Sequence, residues 1–108
     1  MKEIRAYVQP FILGRLVQAL AEIPGFPGLT VSDCEGFGQD RSEAGSGFVP
    51  FAAKKRLEIF APDDLAEVIF ATILRYAHTG RSGDGKVYLI EVLEGGRIRT
   101  GERGRQEI

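Results

Sequence analysis

The chain switches hydrophobic period in the same order twice, and that repeated order narrows the folds open to it more than anything else in the sequence. Residues 2–9 alternate, with Ile4, Ala6 and Val8 on one face and Arg5, Tyr7 and Gln9 on the other. This is a half-buried strand ended by Pro10. Residues 12–23 place Leu13, Leu16, Val17, Leu20 and Ile23 at helical spacing, and Pro24-Gly25-Phe26-Pro27-Gly28 stops that helix. Leu29 to Phe37 reads as a second strand. Lys54 to Ala61 reads as a third, with Leu57 and Ile59 inward and Arg56, Glu58 and Phe60 outward. Pro62-Asp63-Asp64 opens a second helix, where Asp64 and Glu67 have capping-box spacing and Leu65, Val68, Ile69, Ile73 and Tyr76 form a stripe expected to be buried. Val87 to Leu93 is a fourth strand.

Strand–helix–strand twice over predicts an α+β, ferredoxin-like βαββαβ sandwich, a four-stranded antiparallel sheet with two helices on one face. The fourth strand is apolar on both sides, Val87/Leu89 and Tyr88/Ile90/Val92. A strand of that kind needs cover on both faces, and two helices cover only one. The other face is expected to lie against further subunits. At 108 residues the chain is read as one domain, 1–108, with one core. No apolar run approaches the roughly 20 residues that cross a bilayer, and the start lacks a signal-peptide apolar region, so the expected location is cytoplasmic.

Chemistry concentrates in Thr79-Gly80-Arg81-Ser82-Gly83-Asp84-Gly85-Lys86. Three glycines let backbone N–H groups turn around an anion, and the lysine adds a mobile cation. Gly95-Gly96-Arg97-Ile98-Arg99-Thr100 then places two arginines on one side of a segment expected to be extended, and arginine can grip a phosphate bidentately. Read alone, the glycine tract is equally a tight turn, and the arginines are equally solvated edge charges. The net charge of −1 disfavours nucleic acid as a partner. The single cysteine, Cys34, excludes an internal disulfide and reads as a small buried residue. The single histidine, His78, cannot make a zinc site unaided and reads as a dipole partner at a helix end. Phe48 and Phe51 read either as anchors for a partner or as packing on the chain's own sheet. The glycine-rich stretch from Gly38 to Pro50 is expected to be a long, mobile loop.

These segments resemble the PII signal-transduction family from Met1 to about Thr100. The opening Met1-Lys2-Glu3-Ile4-Arg5-Ala6-Tyr7-Val8-Gln9-Pro10-Phe11 is similar to the family's first strand and turn, and Gly36-Phe37-Gly38 to the entry of its T-loop. Thr79 to Lys86 resembles its B-loop, and Arg97-Ile98-Arg99-Thr100-Gly101-Glu102 its C-terminal loop. The resemblance implies a homotrimer that binds ATP or ADP between subunits, with or without Mg2+, and regulates a target protein through the T-loop, here about 38–53. It implies that Gly83, Asp84, Gly85 and Lys86 hold the phosphates (B-loop about 79–86). Arg97 and Arg99 would join them from a neighbouring subunit (C-terminal loop and tail about 95–108). Thr30, Gly36, Phe37 and Gly38 would line the opposite wall and Phe60 would sit by the adenine. Lys54 matches the family lysine that pairs with a carboxylate of 2-oxoglutarate.

The sequence also departs from the family. The T-loop is about five residues shorter, and no tyrosine lies between Gly38 and Phe51 to accept the modification found in nitrogen-regulating members. Gln39 and Asp40 stand where arginine and glutamine are usual, which leaves Asp40 as a metal ligand candidate and sets a negative charge against 2-oxoglutarate. The turn at 23–28 and the Thr-Gly-Glu-Arg-Gly run at 100–104 are similar to a divergent branch encoded beside heavy-metal efflux pumps. The reading is therefore a regulatory binding protein, not an enzyme, whose target is a membrane transporter or efflux pump. The alternatives are a metal-binding or structural trimer with a decayed nucleotide site, and a slow nucleotide phosphohydrolase using the same cleft.

Overall fold

The structure, a computed structural model, describes residues 1–37 and 51–105. The strands are β1 (Lys2–Val8), β2 (Thr30–Gly36), β3 (Ala52–Ala61) and β4 (Gly85–Glu91). A 3-10 turn, Pro10–Ile12, leads into helix α1 (Leu13–Ala21), and α2 spans Asp63–Tyr76. The sheet order is β2-β3-β1-β4 with every pair antiparallel, which is the expected ferredoxin-like sandwich. Two short strands the sequence did not suggest, β5 (Gly95–Gly96) and β6 (Arg103–Gly104), pair into a separate ribbon.

Register sorts the sheet into two faces. Ile4 stands between Ile59 and Leu89, and Ala6 between Leu57 and Val87. With Val8 and Ala61 these residues meet Ile12, Leu16 and Leu20 below the sheet and Ala66, Ile69 and Ile73 from α2. Each large aliphatic side chain so buried contributes about 1.5–3 kcal/mol. The stripe expected on α2 is thus rotated. Val68 is exposed and Ala66 is fully buried, because the close approach of α2 to the sheet is set by a residue too small to register in a hydrophobic count.

The capping box on α2 does not form. The N-cap position is Pro62, which has no side-chain cap bond, and Asp63 and Asp64 lie inside the first turn. Asp63 instead pairs with the α-amino group of Met1 at 3.0 Å and with Lys2 Nζ at 3.1 Å. Bonds to these two cations hold its carboxyl below the usual carboxylate range.

The open face carries Glu3, Arg5 and Tyr7 on β1, Arg56, Glu58 and Phe60 on β3, and Tyr88 and Ile90 on β4. Glu3, between Phe60 and Ile90, is only 6% exposed and takes a bidentate pair from Arg5 at 2.9 Å for both bonds. Arg56 bonds Glu58 at 2.9 Å and lies 6.0 Å from the Tyr7 ring centre. Its Nε is buried with no hydrogen-bond partner among the described residues. Phe60 and Tyr88 remain about half exposed.

Candidate functional site

The tract 79–86 joins α2 to β4 and is braced from within. The carboxylate of Asp84 accepts the N–H of Thr79 at 2.7 Å, the N–H of Gly80 at 3.0 Å and the Thr79 hydroxyl. The Thr79 hydroxyl oxygen in turn accepts the N–H of Arg81 at 3.3 Å. Burial pushes the Asp84 carboxyl upward. The Thr79 hydroxyl and the two N–H groups, aided by the His78 ring 4.0 Å away, outweigh that and leave it below the usual range. Asp84 therefore spends its lone pairs shaping the loop, and its glycine neighbours bend it: Gly80, Gly83 and Gly85 have φ of 87°, 88° and 101°. Gly85 has a second constraint, since a Cβ there would overlap the carbonyl of Tyr7 on β1.

Lys86, the second residue of β4, lies opposite Tyr7; it is exposed and forms no ion pair among the described residues. Lys54 reaches the loop from β3, where its ammonium donates to the Gly83 carbonyl. Gln9, which carried no role in the sequence reading, donates to the same oxygen at 2.7 Å. Nothing in its local pattern marks it, because its partner lies 74 residues away.

Arg97 and Arg99 do not lie on an extended segment. They occupy the turn at the tip of the β5–β6 ribbon, closed by Arg97 N–H to Glu102 O at 2.9 Å and Gly101 N–H to Arg97 O at 2.8 Å. A bidentate pair between Arg103 and Glu94, at 2.6 and 2.7 Å, straps the ribbon. Both turn arginines are exposed.

Register separates the candidate residues into two groups. Gly85 lies opposite Val8, and Lys54 opposite Cys34, at one end of the sheet. Gly36 and Phe37 are at the same end, where the Phe37 and Phe51 rings meet at 5.5 Å. Phe60 lies opposite Glu3 near the other end, six residues along β3 from Lys54, or about 20 Å of strand. The ribbon bearing Arg97 and Arg99 follows from the end of β4 that pairs with Lys2, also away from the loop. Thr30, exposed opposite Glu58, falls between. Gly38, Asp40 and Phe48, with most of the 38–53 segment, lie outside the described residues.

A cleft of about 140 Å³ between the end of α2 and the loop is lined by Ile73, Ala77, His78, Asp84 and Lys86 among others. Small-molecule pockets run to roughly 300–1,000 Å³, so this cleft is too small for a whole nucleotide. The larger groove, about 680 Å³ between α1 and α2, holds Glu22, Glu67 and one cation, Arg75, which does not suit a polyanion.

With this geometry in place, the comparisons decide the family. The family model described as nitrogen regulatory protein P-II matches residues 1–102. The chain belongs to the P-II family. It is 41% identical over 107 residues to nitrogen regulatory protein P-II 1 of Escherichia coli K12, spanning 94% of this chain and 95% of that relative. To nitrogen regulatory protein P-II of Bradyrhizobium diazoefficiens it is 42% identical over 113 residues, with both chains fully spanned. The crystal structure of Arabidopsis thaliana PII bound to citrate superposes with a TM-score of 0.77 at 39% identity, covering 95% of this chain and 87% of that one. P-II proteins are regulatory signalling proteins, and their fold is the one described above. Among the described residues, no helix is long and apolar enough to cross a membrane.

Proposed function

We propose that this P-II chain is a homotrimeric sensor that binds ATP or ADP between subunits and signals occupancy to a target protein through the 38–53 segment. The observation that carries the reading is the division of the candidate residues between opposite ends of one chain. Lys54, Gly83, Gly85 and Lys86 stand at one end, and Phe60, Arg97 and Arg99 belong to the other. A ligand touching both groups needs two copies. The undersized cleft in a single chain and the Nε of Arg56 on the open sheet face, buried without a partner among the described residues, support the same assembly.

The donor set suits a nucleotide polyphosphate. The backbone of Gly83 to Gly85 and the Lys86 ammonium would hold phosphate oxygens, with Arg97 and Arg99 of the neighbouring copy completing the grip. Thr30, Gly36, Phe37 and Gly38 would line the opposite wall and Phe60 would sit by the adenine. Asp84 acts by bracing the loop. Its engagement with three donors also counts against a phosphohydrolase, since it is the loop's one carboxylate. Lys54 is the group that would meet a further anion, a carboxylate such as 2-oxoglutarate or the terminal phosphate of the nucleotide, and Asp40 the one that would hold Mg2+. A nucleotide switches the target only if it binds one arrangement of the 38–53 segment more tightly than the other. The turn at 23–28 and the run at 100–104 favour a membrane transporter or efflux pump as that target, with the single domain acting from the cytoplasm.

Subunit mixing tests the reading. Lys86→Ala and Arg97→Ala trimers should each lose ATP binding by calorimetry, because every site lacks one cation. Refolding the two variants together at equal ratio should restore about a quarter of the sites, those pairing an intact loop with an intact arginine from the neighbour. If both residues served the same chain's site, mixing would restore none.

A further inference from the structure

The Gly83 carbonyl accepts two side-chain donors at once, Gln9 Nε2 and the Lys54 ammonium. A carbonyl has two lone pairs, so both bonds can form together. They arrive from different strands: Gln9 follows the end of β1, and Lys54 lies near the start of β3. A Cβ at 83 would crowd Gln9 Nε2 at 3.1 Å while meeting Lys54 Nζ at an ordinary 3.7 Å, and the φ of 88° there suits glycine. The two donors differ in kind. Gln9 is a neutral amide held on a short tether, while Lys54 is a full charge on a flexible four-carbon stem.

We infer that Gln9 is a positioning residue for the anion site: by keeping the Gly83 carbonyl satisfied, it frees Lys54 to leave that carbonyl for an incoming oxyanion. The inference rests on the reading of the glycine loop as an anion site. When the ammonium swings to a phosphate or carboxylate, the loop oxygen keeps one donor and the loop keeps its shape. Without Gln9 the same swing would strip a part-buried acceptor of its last partner among the described residues, and that penalty would fall on the bound state alone. Gln9 thereby sets how readily Lys54 changes partner.

A double-mutant cycle read by calorimetric titration with ATP tests this. Gln9→Leu should weaken ATP binding about five-fold, the worth of one net hydrogen bond. In a Lys54→Met background the same change should leave ATP affinity unaltered, because no ammonium remains to be released. An equal penalty in both backgrounds would overturn the inference and reduce Gln9 to a structural prop. Hydrogen exchange of the nucleotide-free protein supplies a second arm. Either single change should leave the amides of residues 79–86 near wild-type protection, since one donor remains, and the double change should lower protection by more than the sum. Additive losses would refute a shared carbonyl. This arm reads whether or not ATP binds, so a wild-type protein that ignores ATP would sink the proposed function while exchange still decides the role of Gln9.

Discussion

Gly85→Ala should be among the most damaging methyl groups that can be added to this protein. The backbone at Gly85 has φ of 101°, where an L side chain is strained by about 1–3 kcal/mol. The added Cβ would also lie 2.9 Å from the Tyr7 carbonyl carbon and overlap its oxygen. That neighbour is strand backbone, paired in register through Val8 and Gly85, so relief requires β4 to move off β1. Overpacking of this kind costs about 1–3 kcal/mol more. The total, about 2–6 kcal/mol, is a large part of the 5–15 kcal/mol that typically holds a domain together. At about 4–8 °C per kcal/mol, the melting temperature should fall by at least about 8 °C. Gly101→Ala is the matched control: φ is 77°, but no atom lies within 4 Å of the new Cβ, so only strain of about 1–2 kcal/mol applies. Both variants are melted by circular dichroism at one fixed protein concentration, because assembly makes the midpoint concentration-dependent. A Gly85→Ala midpoint within about 3 °C of wild type, or equal to that of Gly101→Ala, would refute the claim that close approach to β1 fixes this glycine.

The remaining predictions concern the loop's brace and the base of the 38–50 segment. Because the folded Asp84 carboxyl titrates below its ordinary value of about 3.9, its stabilising effect is present above that pH and is lost as pH falls through the depressed folded value. Thr79→Val removes the hydroxyl donor, so an NMR titration of Asp84 should move upward toward the ordinary value; an unchanged titration would show that the hydroxyl contributes nothing. Exchange protection of residues 79–86 should likewise fall between neutral pH and about pH 3 in the wild type and change far less in Asp84→Ala. For the Phe37–Phe51 ring contact, a double-mutant cycle with alanine should give a coupling of about 1 kcal/mol; zero coupling would show that the rings meet without holding the two strands together.

Strand and helix order, the inward faces of β1 and β3, and the glycine-bent loop ahead of β4 were all legible in the sequence, because each is a local pattern of period or glycine placement. Local pattern misled where a neighbour far along the chain decided the outcome. Asp64 and Glu67 had capping-box spacing, yet Pro62 took the cap and Asp63 was drawn to the Met1 ammonium and Lys2. Val68 fitted the helical stripe, yet Ala66 faces the sheet. Arg97 and Arg99 looked extended, but Gly101 and the Arg103–Glu94 pair folded them into a turn.

The residues alone specify a βαββαβ chain with a glycine-rich loop ahead of its last long strand, since hydrophobic period and backbone freedom are properties of neighbouring residues. Which groups can act together emerges only in the folded chain. Gln9 and Lys54 converge on one Gly83 oxygen across three elements, and Lys86 starts from the end of β4 opposite to the one from which the Arg97–Arg99 ribbon follows. Both follow from strand register, which is fixed by cooperative pairing over the whole sheet and written in no single segment.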